Sequence, residues 1–261
     1  MDLKLEQKVA IVTGGSKGIG AGVVTSLLAE GACVVNVNRE GPEGPELGRQ
    51  HDPTGKCYRF IAGDLCDLAT CKRAIDETVA QFGRLDILVN NAGVNDGVGL
   101  DAGPEAFLES LQKNLLHCYA LVHYGLEELK KTRGNIVNIG SKVSITGQGN
   151  TSGYAAAKGG INGLTREWAV DLADDGIRVN AVLPAETWTP LYDKWLKTLP
   201  DPESTRAAIE ASIPFEHRFT TVEELAAMVV FLASPQSSHT TGQIVFVDGG
   251  YTHFDRKCTA T

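Results

Sequence analysis

The chain has 261 residues, of which 43% are hydrophobic and 21% charged, with a formal net charge of −8. A chain of this length can form one large α/β domain around a single core, and no linker divides it. The acidic balance and the lack of a basic cluster argue against binding nucleic acid or an anionic membrane through charge. No apolar run approaches the roughly 18 residues of a membrane span and the N-terminus lacks a signal-peptide core, so we expect a soluble, cytoplasmic protein.

The cysteines show neither C-x-x-C spacing nor a nearby histidine pattern of the kind that holds zinc. In a cytosolic chain such residues are usually reduced thiols, several of them in the core. The sequence therefore predicts neither a metal site nor a disulfide among Cys33, Cys57, Cys66, Cys71, Cys118 and Cys258.

A β-branched run at residues 8–13 leads directly into a glycine turn and then into a helical pattern at 21–30. A strand, a glycine turn and a helix N-terminus together form a phosphate cradle, because the backbone can approach the anion and free N–H groups point at it. The spacing is G-x-x-x-G-x-G. We predict that this turn binds a dinucleotide through Gly14, Ser16, Lys17, Gly18, Ile19 and Gly20.

The second strand, residues 33–37, ends at Asn38 and Arg39, where an acidic side chain would bind the ribose 2′-hydroxyl of NAD. No acid stands there, and Arg39 together with Lys17 offers two positive groups for a 2′-phosphate. The sequence thus favours NADP, with NAD possible. Alternatively, both side chains point to solvent.

The next segments add further candidate cofactor contacts. Residues 40–55 read as a surface loop with at most a short helix, and the strand at 57–62 ends near Asp64 and Leu65. Asp64 can accept a hydrogen bond from an adenine amino group, although it could equally cap the helix predicted at 67–82.

The fourth strand, residues 85–89, runs into small and amide residues that suit a flat cofactor floor, Asn91, Ala92 and Gly93. Paired asparagines also mark ordinary turns. The longest predicted helix, 105–131, contains Asn114, a poor residue for a helix interior, which invites a functional interpretation.

The fifth strand, residues 135–140, delivers Ser141 to the same edge. Tyr154 and Lys158 follow on a helix over 152–174, where a spacing of four places both on one face. An ammonium close to a phenol favours the phenolate, which can exchange a proton with a substrate oxygen that Ser141 holds. Such a pair could arise by chance, so its weight comes from its surroundings.

The sixth strand, residues 177–183, leads to the Pro184 turn and a segment at 185–216 rich in proline, tryptophan and charge. This segment is either a substrate-covering element or an ordinary surface insertion. A capping box of Thr221 and Glu224 predicts a helix over 221–233, and residues 243–247 close the sheet. Alternating strands and helices predict a single doubly wound, Rossmann-like α/β domain with ligands at the carboxyl ends of its strands.

In this order the motifs resemble the short-chain dehydrogenase/reductase family over essentially the whole chain. The resemblance implies an NAD(P)-dependent enzyme with the catalytic group Asn114, Ser141, Tyr154 and Lys158. Tyr154 would be the acid/base and Ser141 would position the substrate oxygen. Lys158 would bind the nicotinamide ribose and favour the phenolate, and Asn114 would hold a relay water. The family also implies a homotetramer that packs through the helices at 105–131 and 152–174.

One departure concerns the sixth strand, where the family usually has Pro-Gly and this chain has Pro184 and Ala185 before Glu186. The carboxamide contact is expected to survive through the Thr187 backbone and the Thr189 hydroxyl. Glu186 adds an acceptor beside the substrate, which suits a polyhydroxylated ligand.

Near the expected pocket the sequence has polar residues that can bind sugar hydroxyls and aromatic residues that can cover apolar sugar faces. They are Gln148, Asn150, Glu186, Trp188 and Trp195. The runs at 146–154, 184–186 and 238–242 resemble those of bacterial L-fucose dehydrogenases, which oxidise a free aldose at C1 to its lactone. The sequence thus favours a sugar dehydrogenase. Two alternatives stay open: a ketoacyl or ketosteroid reductase, and a non-catalytic NADP-sensing protein. No histidine is assigned to catalysis.

Overall fold

A computed structural model describes residues 2–253 and places seven parallel strands in one sheet, in the order β3-β2-β1-β4-β5-β6-β7. The last residues of the chain, including Cys258, lie outside the described part. The strands are β1 (Val9–Thr13), β2 (Cys33–Asn38), β3 (Tyr58–Ala62), β4 (Ile87–Asn90), β5 (Asn135–Ile139), β6 (Arg178–Pro184) and β7 (Ile244–Val247).

Helices cover both faces of the sheet. Leu121 and Leu129 pack with Trp168 in the core on one face, and Val23, Leu27 and Leu225 belong to the core on the other. The helices are α1 (Gly18–Ala29), α2 (Glu43–His51), α3 (Leu68–Phe82), α4 (Gly103–Leu111), α5 (His117–Thr132), α6 (Ser152–Asp171), α7 (Pro190–Leu196), α8 (Pro202–Ser212) and α9 (Val222–Ala233).

The sequences of the central strands are nearly continuously apolar because helices bury both faces of these strands. β1 pairs with β2 on one side and β4 on the other, with Ile11 in register with Val35 and Leu88. The strand order reverses at this point, and doubly wound sheets bind their ligands at the carboxyl ends of the strands beside such a reversal. The prediction of a single doubly wound, Rossmann-like domain is confirmed.

The long predicted helix at 105–131 is interrupted by a π-helical segment, Gln112–Leu116, between α4 and α5. Asn114 lies inside this segment, where its Nδ2 donates to Ser110 O and its Oδ1 accepts from Val94 N. The widened turn lets one side chain tie the helix to the loop after β4. Such π segments often mark functional sites.

Within residues 40–55 the structure has one nine-residue helix, α2. A Cβ at Gly44 would collide with the Phe60 ring, and a Cβ at Gly48 with the Tyr58 ring. The two glycines therefore let α2 lie directly on the edge strand β3, which explains a helix in a stretch whose composition favours a loop.

The segment at 185–216 contains α7 and α8, each with a proline in its first turn. Thr189 caps α7 by accepting from Tyr192 N, and Asp201 caps α8 by accepting from Ser204 N. The capping box of Thr221 and Glu224 on α9 is also present, as predicted. Within residues 2–253 no helix combines the length and apolar character needed to cross a membrane.

Candidate active site

The glycine turn after β1 can accommodate a phosphate closely. Gly14 and Gly18 have positive φ angles of 65° and 55°, which glycine adopts without strain. A Cβ at Gly20 would lie closer than 3.0 Å to Gly14 O and to Asn91 Nδ2. α1 follows with Lys17 at its N-cap and no side-chain cap, so the first N–H groups of the helix are available to an anion.

The floor beside this turn is fixed by Thr13 and Asn91. Thr13 Oγ1 accepts from Asn91 N at 2.9 Å and from Ala92 N at 3.0 Å, while Asn91 Nδ2 donates to Thr13 O at 2.8 Å. These bonds hold Asn91, Ala92 and Gly93 against the glycine turn, where the sequence predicted a cofactor floor.

The residues predicted to contact the adenosine part of a dinucleotide come from three loops. Asn38 Oδ1 accepts from Arg39 N, and Arg39 is exposed. Lys17 Nζ lies 2.5 Å from Glu43 Oε1 on α2, a carboxylate that the sequence analysis did not consider. The Cys66 N–H donates to Asp64 and lowers its pKa, and Arg39 acts in the same direction.

Three further residues predicted to contact the cofactor, Ser16 and Ile19 of the turn and Leu65 after β3, contact the protein interior. Ser16 Oγ accepts from Asn36 Nδ2 at 3.1 Å, and Leu65 is buried. Ile19 packs against the core that contains α1. These residues therefore support the shape of the pocket from behind.

Tyr154 and Lys158 lie on the same side of α6. Lys158 is 3% exposed, its Nζ donates to Ile139 O at 2.7 Å, and it lies 5.6 Å from the centre of the Tyr154 ring. The backbone of β5 thus holds the ammonium beneath the phenol, which is the arrangement that the spacing predicted.

Asn114 and Ser141 are the other two predicted catalytic residues, and Gly93 lies next to Asn114. A Cβ there would lie 3.1 Å from Asn114 Oδ1 and 3.4 Å from Lys158 Nζ, so the floor, Asn114 and Lys158 meet at one point. Ser141 follows β5, and its Oγ accepts from Val143 N at 3.4 Å at the start of a short 3₁₀ turn. The four predicted catalytic residues therefore gather at the carboxyl ends of β4 and β5.

The chain after β6 crosses back toward the glycine turn. β6 ends at Pro184, and a Cβ at Gly18 would lie 3.5 Å from Thr189 Cβ. Thr187 Oγ1 is buried and has no hydrogen-bond partner in the described part of the chain. An unpaired buried hydroxyl, on the segment that also brings Thr189 to the glycine turn, fits a ligand with a hydrogen-bonding group such as a carboxamide.

The predicted substrate residues divide into two groups. Trp188 and Trp195 both contact the Tyr192 ring, at centroid distances of 6.4 and 5.2 Å, and the Tyr192 hydroxyl donates to Glu186 at 2.6 Å. Gln148 and Asn150 are exposed in the loop before α6. Within residues 2–253 no hydrogen bond joins them to the first group.

Several residues near the site were missed by sequence reasoning. Lys142 contacts Glu186, and Tyr192 bonds the same carboxylate. The position of Lys142 directly after Ser141 was a usable signal, whereas nothing in the sequence pointed to Tyr192 or Glu43.

His117 was also missed as a neighbour of the site. It is 1% exposed, and burial lowers its pKa to about 4, with the Lys158 ammonium acting in the same direction and Asp64 in the opposite one. The ring is therefore neutral at physiological pH.

Comparisons with known proteins identify the family of the chain. Residues 14–252 match the family model described as enoyl-(acyl carrier protein) reductase. The chain belongs to the short-chain dehydrogenase/reductase family and is an oxidoreductase that uses a nicotinamide cofactor and acts on a small molecule.

Individual relatives differ in their substrates. L-fucose dehydrogenase of Mus musculus is 36% identical over 245 residues, which cover 93% of this chain and 88% of the relative. A 3-oxoacyl-[acyl-carrier-protein] reductase of Thermotoga maritima is 34% identical over 252 residues, covering 95% and 99%. Among solved structures, the crystal structure of Cj0485 dehydrogenase has a TM-score of 0.94 and 44% identity, and the match covers 98% of each chain.

Proposed function

We propose that this oxidoreductase is an NADP-dependent aldose 1-dehydrogenase that converts a free aldose, L-fucose or a similar sugar, to its lactone. The observation that carries the proposal is the Glu186 carboxylate, which is 11% exposed at the end of β6, next to the strand that delivers Ser141. A desolvated carboxylate is compatible with sugar hydroxyls, whereas an acyl chain would leave it in an apolar contact. The likeness to L-fucose dehydrogenases supports the same conclusion.

In the proposed mechanism Tyr154 takes the proton of the anomeric hydroxyl while Ser141 holds that oxygen by a hydrogen bond. The bound nicotinamide supplies the hydride acceptor. We assign Lys158, whose ammonium donates to Ile139 O, to binding the nicotinamide ribose. Asn114 holds the loop after β4 in position, and we assign it the relay water.

The residues proposed to bind the cofactor are those of the glycine turn, the floor and the segment from Thr187 to Thr189 that links β6 to α7. Preference for NADP is supported by the lack of an acid at Asn38 and by the exposed cation Arg39. Arg39→Ala should weaken NADP about tenfold or more, as expected for loss of a charge-assisted hydrogen bond, and should leave NAD nearly unchanged. Equal losses for both cofactors, measured by fluorescence titration, would reject the assignment.

Residues 185–216 are proposed to cover the substrate. Their contacts support this role, because Trp188 packs against Phe219 at 5.2 Å between ring centres and Arg206 of α8 lies 4.3 Å from the Trp188 ring. The segment is joined to the body of the protein by this aromatic cluster and by backbone hydrogen bonds between Trp188, Glu186 and Thr220.

A homotetramer is also proposed. The helical region from α4 to α5 exposes apolar side chains, with Leu108 at 64% and Tyr119 at 53%, beside Leu164 of α6. Exposed apolar surface of this kind commonly marks an interface. Sedimentation velocity measures the oligomeric state, and a monomer in solution would contradict the proposed homotetramer.

A second candidate, a 3-ketoacyl or ketosteroid reductase, is favoured by the 3-oxoacyl reductase relative. We do not favour the alternative of a non-catalytic NADP-sensing protein, because the relatives are oxidoreductases. A screen at 340 nm of aldoses and simple alcohols with NADP and NAD, and of ketoacyl substrates with the reduced cofactors, separates the two candidates. Turnover of aldoses supports the proposal, and turnover of ketoacyl substrates alone overturns it.

A further inference from the structure

A largely buried charged cluster lies beside Ser141 at the carboxyl edge of the sheet. Lys142 follows β5, Glu186 follows β6, and Asp248 and Tyr251 follow β7, so three neighbouring strands each contribute to it. Adjacent parallel strands bring these side chains to one place although they are far apart in sequence.

The contacts within the cluster are specific. Lys142 Nζ contacts Glu186 Oε1 and lies 4.1 Å from the centre of the Tyr251 ring, and the Tyr192 hydroxyl donates to Glu186 Oε2 at 2.6 Å. Asp248 Oδ1 and Oδ2 accept from Gly250 N and Thr252 N, both at 2.9 Å. Glu186 is therefore held from both sides, by an ammonium and by a phenol.

Burial of the Lys142 and Glu186 ion pair carries a desolvation cost for folding. The Lys142 and Glu186 side chains are 14% and 11% exposed. Burial lowers the pKa of Lys142 to about 8, with Asp248 acting in the opposite direction, and raises the pKa of Tyr192 to about 12. Replacing a buried ion pair with apolar residues of similar volume is often neutral or stabilising, so stability alone gives little reason for this one.

The cluster lies where a substrate would extend from the reacting carbon. Ser141 is the residue before Lys142, and Thr187, which lies at the proposed carboxamide position, is the residue after Glu186. An ammonium has three N–H donors and a carboxylate about four acceptor sites, so each can bind a ligand hydroxyl while keeping its partner. A sugar hydroxyl donates and accepts, and two adjacent hydroxyls match an adjacent donor and acceptor.

We propose that Lys142 and Tyr192, acting with Glu186, form the specificity subsite that binds substrate hydroxyls next to the reacting carbon. Lys142 donates to one hydroxyl and Glu186 accepts from its neighbour. Tyr192 is a positioning residue that fixes the carboxylate. This subsite rests on the proposed function, because it requires a polyhydroxylated substrate.

The test compares wild type with Lys142→Met across an aldose and its monodeoxy derivatives. For the parent aldose, Lys142→Met should raise KM by about 10- to 100-fold, the effect of losing a charged hydrogen bond, with a smaller change in kcat. The deoxy sugar that lacks the hydroxyl bound by Lys142 should be a poor substrate for wild type, and the variant should no longer distinguish it from the parent. Tyr192→Phe should raise KM less.

Lys72→Met serves as the matched control, because Lys72 is an exposed residue of α3 paired with Asp76. It should keep the wild-type KM values. Thermal unfolding and NADP titration of Lys142→Met separate a folding or cofactor defect from a substrate defect. If wild type oxidises no aldose, the proposed function fails and the subsite with it. If wild type oxidises aldoses and Lys142→Met retains the full discrimination among the deoxy sugars, the subsite alone is overturned.

Discussion

Asp86 at the amino edge of the sheet and the pair Tyr154 and Thr187 at the carboxyl edge differ in how far their hydrogen-bonding groups are used by the protein itself. At the amino edge Asp86 is 4% exposed and accepts from Lys8, Val9 N and two nitrogens of Arg84 at 2.6 to 3.1 Å. At the carboxyl edge the Tyr154 hydroxyl and Thr187 Oγ1 make no hydrogen bond within residues 2–253. Polar groups that hydrogen-bond to one another stabilise the fold, whereas groups with unused hydrogen-bond donors or acceptors are available to ligands.

The largest expected effect is on turnover, at the carboxyl edge. Tyr154→Phe should lower kcat by about 10²- to 10⁴-fold, because it removes the group proposed to accept the proton. The free energy of unfolding and NADP affinity should change little, since the hydroxyl makes no hydrogen bond in the described structure. Steady-state kinetics, urea unfolding and cofactor titration measure the three quantities.

Tyr124→Phe is the matched control for this variant. It removes the same hydroxyl from a surface position on α5, where Tyr124 is 36% exposed. Its kinetics should equal those of wild type. Unchanged turnover in Tyr154→Phe would end the proposed mechanism.

The next effect is on stability, at the amino edge. Asp86→Asn should reduce the free energy of unfolding by about 2–4 kcal/mol, because it removes a buried carboxylate that accepts several charged hydrogen bonds. KM and kcat should stay near the wild-type values. Asp76→Asn removes one partner of an exposed pair, Lys72 with Asp76 at 2.6 Å, and should cost below about 1 kcal/mol. Similar losses in the two variants would show that Asp86 is not a special structural residue.

The fold could be predicted from the sequence because its signals are local and repeated. Strands such as Val9–Thr13 are continuously apolar, and the glycine turn, the helix caps and the spacing of Tyr154 and Lys158 each depend on neighbouring residues. The interrupted helix at Asn114 could not be predicted, because the π segment depends on a hydrogen bond from Val94, which is distant in sequence.

The pairing of charges around the site was also hidden from sequence reasoning. Glu186 was expected to offer a free acceptor, yet both of its oxygens have protein partners, Lys142 and Tyr192. Lys17 was expected to face a 2′-phosphate, and Glu43 of α2 lies against it. In each case the partner comes from another element, and only the packing of α2 or α7 decides which charges meet.

A third prediction concerns the pH dependence of stability, through His117, which is buried and feels the charge of Lys158, the proposed catalytic lysine. Its folded pKa of about 4 lies below the unfolded value of about 6.5, so between these values the unfolded state binds more protons. The free energy of unfolding should therefore fall as the pH drops from 6.5 to 4, by up to about 3 kcal/mol from this group. His117→Gln should show a shallower slope in urea unfolding across this range. His51→Gln, at an exposed position of α2, is the control and should keep the wild-type slope; equal slopes in all three proteins would contradict the assignment.

The smallest expected effect concerns the proposed NADP preference, in which Glu43 would compete with the 2′-phosphate for Lys17. Lys17 and Glu43 are 59% and 41% exposed, and their hydrogen bond lowers the pKa of Glu43, so the carboxylate is charged at neutral pH. Glu43→Gln leaves the ammonium free for the phosphate and removes a negative charge near it, so NADP should bind about two- to fivefold more tightly, as expected for an exposed charge pair. NAD, which lacks the phosphate, should bind as before, and the gain should shrink at high ionic strength. Glu46→Gln alters a neighbouring exposed pair with Arg49 on the same helix and is the control. A gain shared by NAD, or reproduced by Glu46→Gln, would mean that Lys17 does not contact the 2′-phosphate and that Arg39 alone carries the preference.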